Sequence, residues 1–160
     1  MSILNYFILN VLLGAAWAAL SGQLTLENLA AGYVIGYVVL WLARGTLGQS
    51  SYFVKVPQVF GFVGYFLWEL IKANVRVAYE VLTPGHRMRP AVVAIPLDVR
   101  TPLAITLLAQ MITLTPGTLS LDVSSDRRVL YVHSMYVDDV DAFRRSIKNG
   151  FERRLREVLS

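Results

Sequence analysis

Two uncharged stretches open the chain. Met1 to Leu26 carries no charged side chain, nor does Asn28 to Ala43, and Ser21-Gly22-Gln23 lies between them as a turn. Each stretch approaches the roughly 20 apolar residues that a helix needs to cross the hydrocarbon. Together they predict a tight transmembrane hairpin, with Glu27 beside its turn. A third segment, Pro57 to Leu82, begins apolar and then carries Glu69, Lys72, Arg76 and Glu80 at helical spacing, one polar stripe. It reads as one helix stopped by Thr83-Pro84-Gly85, either a tilted span or an amphipathic helix lying in the interface.

Beyond Gly85 the pattern changes. Ala91 to Val99 is β-branched and short, with Pro96 marking an edge strand or a bulge. Thr101-Pro102 reads as an N-cap followed by proline in the first helical position, opening a buried helix that ends near Leu114 before Thr115-Pro116-Gly117. Thr118 to Val123 then alternates with period two. Ser124 to Arg128 makes a polar turn, and Val129 to Val137 returns, which predicts a β-hairpin. Asp138 or Asp139 caps a last helix whose apolar stripe is Val140, Phe143, Ile147, Phe151, Leu155 and Val158. The other face of that helix carries Arg144, Arg145, Lys148, Arg153, Arg154 and Arg156. The fold class is a membrane helical hairpin plus a third amphipathic or tilted helix, followed by a small α+β domain in the order strand-helix-strand-strand-helix.

Charge sharpens the division. Of 160 residues, 55% are hydrophobic and 16% charged, below the quarter or so of a soluble domain. Residues 1–83 hold seven charges and residues 84–160 hold nineteen, eleven of them basic. The expected domains are therefore a membrane part, 1–83, and a cytoplasmic α+β part, 84–160, placed inside by its basic residues. With two spans the amino terminus is also inside, beside Arg44 and Lys55. With three, both would face outward, so charge bias favours two. The start, Met1 to Asn5, lacks the basic region of a cleaved signal. Small residues four apart, Gly14 and Ala18 on the first helix and Gly32 and Gly36 on the second, leave grooves for close helix packing. Asn5 and Asn10 favour a protein neighbour over lipid.

Catalytic chemistry finds little support. With no cysteine, thiolate metal sites and cysteine nucleophiles are excluded. His86 and His133 are the two histidines, and no third ligand recurs at metal spacing. Ser120, Asp122 and His133 are residue types of a hydrolytic triad without its sequence context. Thr115-Pro116-Gly117-Thr118 lacks the lysine and glycine pattern of a phosphate loop. The basic face of the last helix is interrupted by acids and has no interleaved aromatics, which argues against nucleic acid and for a solvated face beside anionic lipid or an acidic partner. Ion pathways need ionisable groups at depth. Glu69 with Lys72, three residues apart, is the nearest acid–base pair to the apolar segments, a candidate contact with an ion route at a subunit interface. No cofactor is implied.

The run Ile105 to Leu119, and Thr-Leu-Thr-Pro-Gly-Thr at residues 113–118 within it, resembles the E subunit of the Mrp or Mnh-type multisubunit Na+/H+ antiporters of bacteria. Asp122-Val123-Ser124, Leu130-Tyr131-Val132-His133, Trp68 to Asn74 and Phe151-Glu152 add to the likeness, which extends over essentially the whole chain. The resemblance implies an accessory, non-catalytic subunit of the bacterial cell membrane. It would support assembly and the ion-route environment beside large A- and D-like and small B-, C-, F- and G-like subunits, in a complex serving pH homeostasis or salt tolerance. Related subunits occur in respiratory-type hydrogenases, so both assemblies stay open. The alternative is a free-standing membrane-anchored module that recruits a cytosolic protein. Thr115, Pro116 and Gly117 are expected to form a corner that fixes the soluble domain against the hairpin or a neighbour.

Overall fold

The computed structural model describes residues 2–48, 50–83 and 88–159. His86 and the Pro84-Gly85 stop lie outside them. The chain forms two compact units, Met1–Pro57 and Gln58–Ser160. Packing thus divides it inside the third long helix, well before the change in charge density at Thr83. The reason is that Phe62, Tyr65 and Phe66 of that helix pack against the α+β core.

In the first unit, α1 (Ile3–Leu20) is capped by the Ser2 hydroxyl and α2 (Leu26–Leu42) by that of Thr25, each accepting a backbone N–H three residues on. The buried residues of α1 are Tyr6, Asn10, Gly14 and Ala18, one every four positions; α2 answers with Gly32, Gly36 and Leu40. Backbones meet where the small residues lie. A Cβ on Gly32 would stand 2.8 Å from the Gly14 carbonyl oxygen, and one on Gly14 would stand 3.2 Å from the Tyr33 nitrogen. Gly36 faces Asn10 in the same way. The apolar side chains around this seam, Leu4, Leu12, Val34 and Leu42 among them, are exposed.

A short helix, α3 (Arg44–Leu47), precedes α4 (Tyr52–Leu82). The sequence places the start of α4 at Pro57, but proline lies inside the helix, five residues after its start. Pro57 has no N–H to give the Phe53 carbonyl; the Tyr37 hydroxyl donates to it instead, at 3.2 Å. Around this point Tyr6 donates to Gly48 O at 2.7 Å, Asn10 Nδ2 donates to the Tyr52 hydroxyl at 2.8 Å, and that hydroxyl meets Tyr33 Oη at 2.9 Å. In an apolar setting such partners are what make a broken helical ladder tolerable.

The second unit is built on β1 (Ala91–Pro96), β2 (Thr118–Val123) and β3 (Val129–Ser134), all antiparallel in the order β1-β3-β2. The expected hairpin is present, with an irregularity between Ser120 and Asp122. α5 (Pro102–Leu114) opens on the Thr101 cap with Pro102 in its first turn, and buries Ala104, Ile105, Leu108, Met111 and Ile112. α6 (Val140–Ile147) is capped by Asp139, whose carboxylate accepts from Asp141 N and Ala142 N; these backbone hydrogen bonds hold its pKa below the ordinary aspartate value. Val140 is largely exposed, so the buried stripe of the last helix is Ile147, Phe151 and Leu155.

The last helix is not continuous α-helix. A π-turn, Lys148–Glu152, separates α6 from α7 (Arg153–Leu159). Steps of four from Phe143 to Leu155 drift about 40° each on an ideal helix, and a wider turn brings Phe151 and Leu155 back to the core. The same turn buries Glu152. Its Oε1 accepts from Asp98 N at 2.5 Å and Val99 N at 3.0 Å, tying down the loop between β1 and α5, while Lys148 Nζ stands 3.4 Å from Oε2. Two cations of the basic face turn inward: Arg144 Nε donates to Ala94 O at 2.9 Å and Lys148 Nζ to Pro96 O at 2.8 Å. These are alternate residues of an edge strand, so the pair covers carbonyls that would otherwise template another strand. The basic face is therefore in part internal, not wholly a solvated surface.

A cationic cleft beside the Thr-Pro-Gly corner

The run at 113–118 closes the end of α5 with its hydroxyls. Thr115 Oγ1 donates to Met111 O at 2.9 Å, Thr118 Oγ1 is shared between Ile112 O at 2.5 Å and Thr115 O at 2.8 Å, and Thr113 Oγ1 accepts from Ser120 N at 3.1 Å. Met111 O, near the helix end, thereby gains a side-chain donor, and Ile112 O and Thr115 O, which also accept from Thr115 N and Thr118 N, gain a second one. Pro116 cannot continue the helix, and Gly117 takes φ of +86°, the left-handed region where glycine carries no Cβ penalty. Space demands glycine as well, since a Cβ there would stand 2.9 Å from the Tyr136 ring.

This corner forms one wall of a cleft of about 610 Å³ within the second unit. Thr115, Pro116 and Tyr136 face it from the α+β fold, Glu69, Lys72 and Arg76 from α4, and Arg153 and Arg154 from α7. Of the residues singled out in the sequence, Glu69, Lys72, Thr115 and Pro116 are brought together here, and Gly117 adjoins through Tyr136. Gly14, Ala18, Gly32 and Gly36 belong to the separate seam of the first unit.

Lys72 Nζ lies 2.6 Å from Glu69 Oε1, an ion pair along one turn of α4. Arg153 pairs with Glu157 at 3.3 Å. Arg154 stacks over Tyr65 at 3.8 Å and donates to the carbonyls of Asn149 and Gly150. Tyr65 in turn meets Phe151 edge-on, and Gly150 gives its hydroxyl room, since a Cβ there would strike it. Arg76 lies over the Tyr136 ring at 5.4 Å. Four cations and one carboxylate thus line the cleft, which is positive. Arg76 belongs to the polar stripe visible in the sequence. The contributions of Tyr136, Arg153 and Arg154 depend on packing that no local pattern encodes.

The triad types are not assembled. Ser120 Oγ donates to Ala109 O at 2.9 Å, Asp122 Oδ1 accepts from Val123 N at 2.7 Å, and His133 pairs across the sheet with Leu119 and Val92. Among the described residues no three histidine, aspartate or glutamate side chains gather where they could hold a metal ion.

The described residues form a helical hairpin with exposed apolar sides and a small α+β unit, and no reaction centre is assembled among them. A family model described as Na+/H+ ion antiporter subunit matches residues 10–158, and the chain belongs to that family. Within it, the relatives are E subunits. The chain is 34% identical to the E subunit of the Na(+)/H(+) antiporter of Alkalihalophilus pseudofirmus, over 94% of this chain and 96% of the relative. It is 36% identical to the E1 subunit of the Staphylococcus haemolyticus antiporter, over 94% and 95%. Among solved structures, a chain of the membrane-bound sulfane sulfur reductase, an archaeal respiratory membrane complex, aligns with a TM-score of 0.56 at 26% identity, covering 96% of this chain and 98% of that one.

Proposed function

We propose that the chain is the accessory E subunit of a multisubunit Na+/H+ antiporter in a bacterial cell membrane. It supports assembly and the surroundings of the ion route rather than carrying the ion itself. The observation that carries this reading is the near end-to-end likeness to antiporter E subunits. Two physical features agree with it. The long apolar helices expose most of their side chains, a surface suited to lipid and neighbouring subunits. The described charged residues of α1 and α2 reduce to Glu27 in the first turn of α2, so the hairpin offers no ionisable relay at depth. The antiport of the whole complex then resides in other subunits, and this chain has no catalytic role of its own.

By length and apolar composition α1 and α4 could each cross a membrane, and α2 is shorter; we read α1 and α2 as the crossings and α4 as interfacial from the way its two faces divide. Phe60, Val63, Leu67, Ile71, Val75 and Tyr79 form an exposed apolar stripe along α4 at steps of three or four. The face carrying Phe62, Tyr65 and Phe66 packs on the α+β core. A helix apolar on one side and covered by a charged domain on the other suits the plane of the interface. The amino terminus and the α+β domain are then both cytoplasmic.

Affinity purification of the tagged full chain in gentle detergent tests the subunit reading. Several large, many-helix antiporter subunits should co-purify. Recovery of soluble proteins alone, under conditions that preserve a known membrane complex, would contradict it and favour an anchored recruiting module.

A further inference from the structure

We propose that the cleft between α4 and the α+β fold binds the phosphate of an anionic phospholipid headgroup. The charges lining the cleft do not balance. Lys72 is answered by Glu69 and Arg153 by Glu157, but Arg76 and Arg154 have no carboxylate within ion-pair distance among the described residues. Arg154 is already engaged with two carbonyls and the Tyr65 ring. Arg76 rests on the Tyr136 ring, and neither its guanidinium nor the Tyr136 hydroxyl makes a hydrogen bond within the described residues. A planar fork of donors, a free phenol and a net positive wall match a phosphodiester, which arginine binds through two parallel hydrogen bonds.

The cleft's setting points to a lipid rather than a soluble phosphate. On the side of α4 turned away from Glu69 and Arg76, Leu67, Ile71 and Val75 are at least half exposed, with Trp68 beside them. Acyl chains can therefore lie along the helix whose other face offers the cations. Basic residues at a membrane surface draw anionic headgroups with about 1 kcal/mol each, and a walled cleft adds selectivity that a flat basic patch lacks. The inference needs the chain's membrane setting but not its role in transport.

The test is photo-crosslinking of the full chain, alone and in the complex that co-purifies with it, in phosphatidylcholine nanodiscs containing a photoactivatable phosphatidylglycerol. Labelled peptides should come from 69–76 and from the segments around Tyr136 and Arg153. Arg76→Gln should lower that yield about fivefold. Arg76→Lys should retain most of it, and Arg128→Gln in the exposed hairpin turn should leave it unchanged. Because Arg76 is exposed, its replacement leaves the core intact, and Tyr136→Phe provides a second, milder reduction. Equal labelling by a photoactivatable phosphatidylcholine, or insensitivity to Arg76→Gln, would overturn the proposal. Loss of labelling on adding inorganic phosphate would reassign the site to soluble phosphate. Labelling of the free chain that vanishes in the complex would assign the cleft to a protein neighbour; both results overturn the lipid assignment.

Discussion

A methyl group added at Gly32 would come within 2.8 Å of the Gly14 carbonyl oxygen and 2.7 Å of the Trp17 Cβ. Backbone cannot yield as a side-chain tip can, so Gly32→Ala should push α1 and α2 apart and destabilise the hairpin by about 1–3 kcal/mol. Thermal unfolding in detergent measures this, with Gly61→Ala as the control, since a Cβ there meets nothing within 4 Å. The small-residue spacing is legible from sequence because it is a local pattern; which glycine carries the tightest contact depends on how the two helices cross. Thr118 makes a comparable case in the α+β unit. Thr118→Val preserves shape but removes the hydroxyl shared by Ile112 O and Thr115 O; both carbonyls keep a backbone N–H donor, so the cost should be about 0.5–1.5 kcal/mol. Thr118→Ser should recover most of the melting temperature. If Thr118→Val melted like the parent chain, the carbonyls would not depend on that hydroxyl.

Elements governed by local chemistry were readable, and elements governed by distant partners were not. Thr101-Pro102 opens α5 and Asp139 caps α6 because capping is decided within a few residues. Pro57 misleads as a helix start because a proline is ordinarily tolerated there for want of an N–H. In the folded chain Tyr37, far away in sequence, supplies the missing donor to Phe53 O. The π-turn at Lys148–Glu152 is hidden for a related reason: steps of four in the apolar stripe hint at drift, but only packing of Gly150 against Tyr65 and of Glu152 beneath the β1–α5 loop fixes where it is absorbed. Of the cleft, Glu69, Lys72 and the Thr-Pro-Gly corner stand out in the sequence; their convergence is a tertiary fact. The placement of α4 can be tested by single cysteines, since the natural chain has none. With two crossings and an interfacial α4, Gln23→Cys should react with an impermeant maleimide from outside the cell and Ser2→Cys should not. The reverse pattern would mean that α4 crosses the membrane.

At the scale of the whole molecule, this chain divides its labour. The first unit offers two apolar helices fastened by glycines and tyrosines, and the second offers a small sheet whose helices frame a cationic cleft. Among the described residues no group of histidine, aspartate or glutamate side chains could hold a metal ion, and the E-subunit family places the measurement in the complex. The most direct measurement is Na+-driven proton movement in everted membrane vesicles from cells expressing all subunits of the complex, with and without this chain. Exchange should collapse when the chain is omitted and return when it is restored, while Gly32→Ala should restore it only in part, in proportion to the complex recovered. Undiminished exchange by an intact complex lacking this chain would contradict the account.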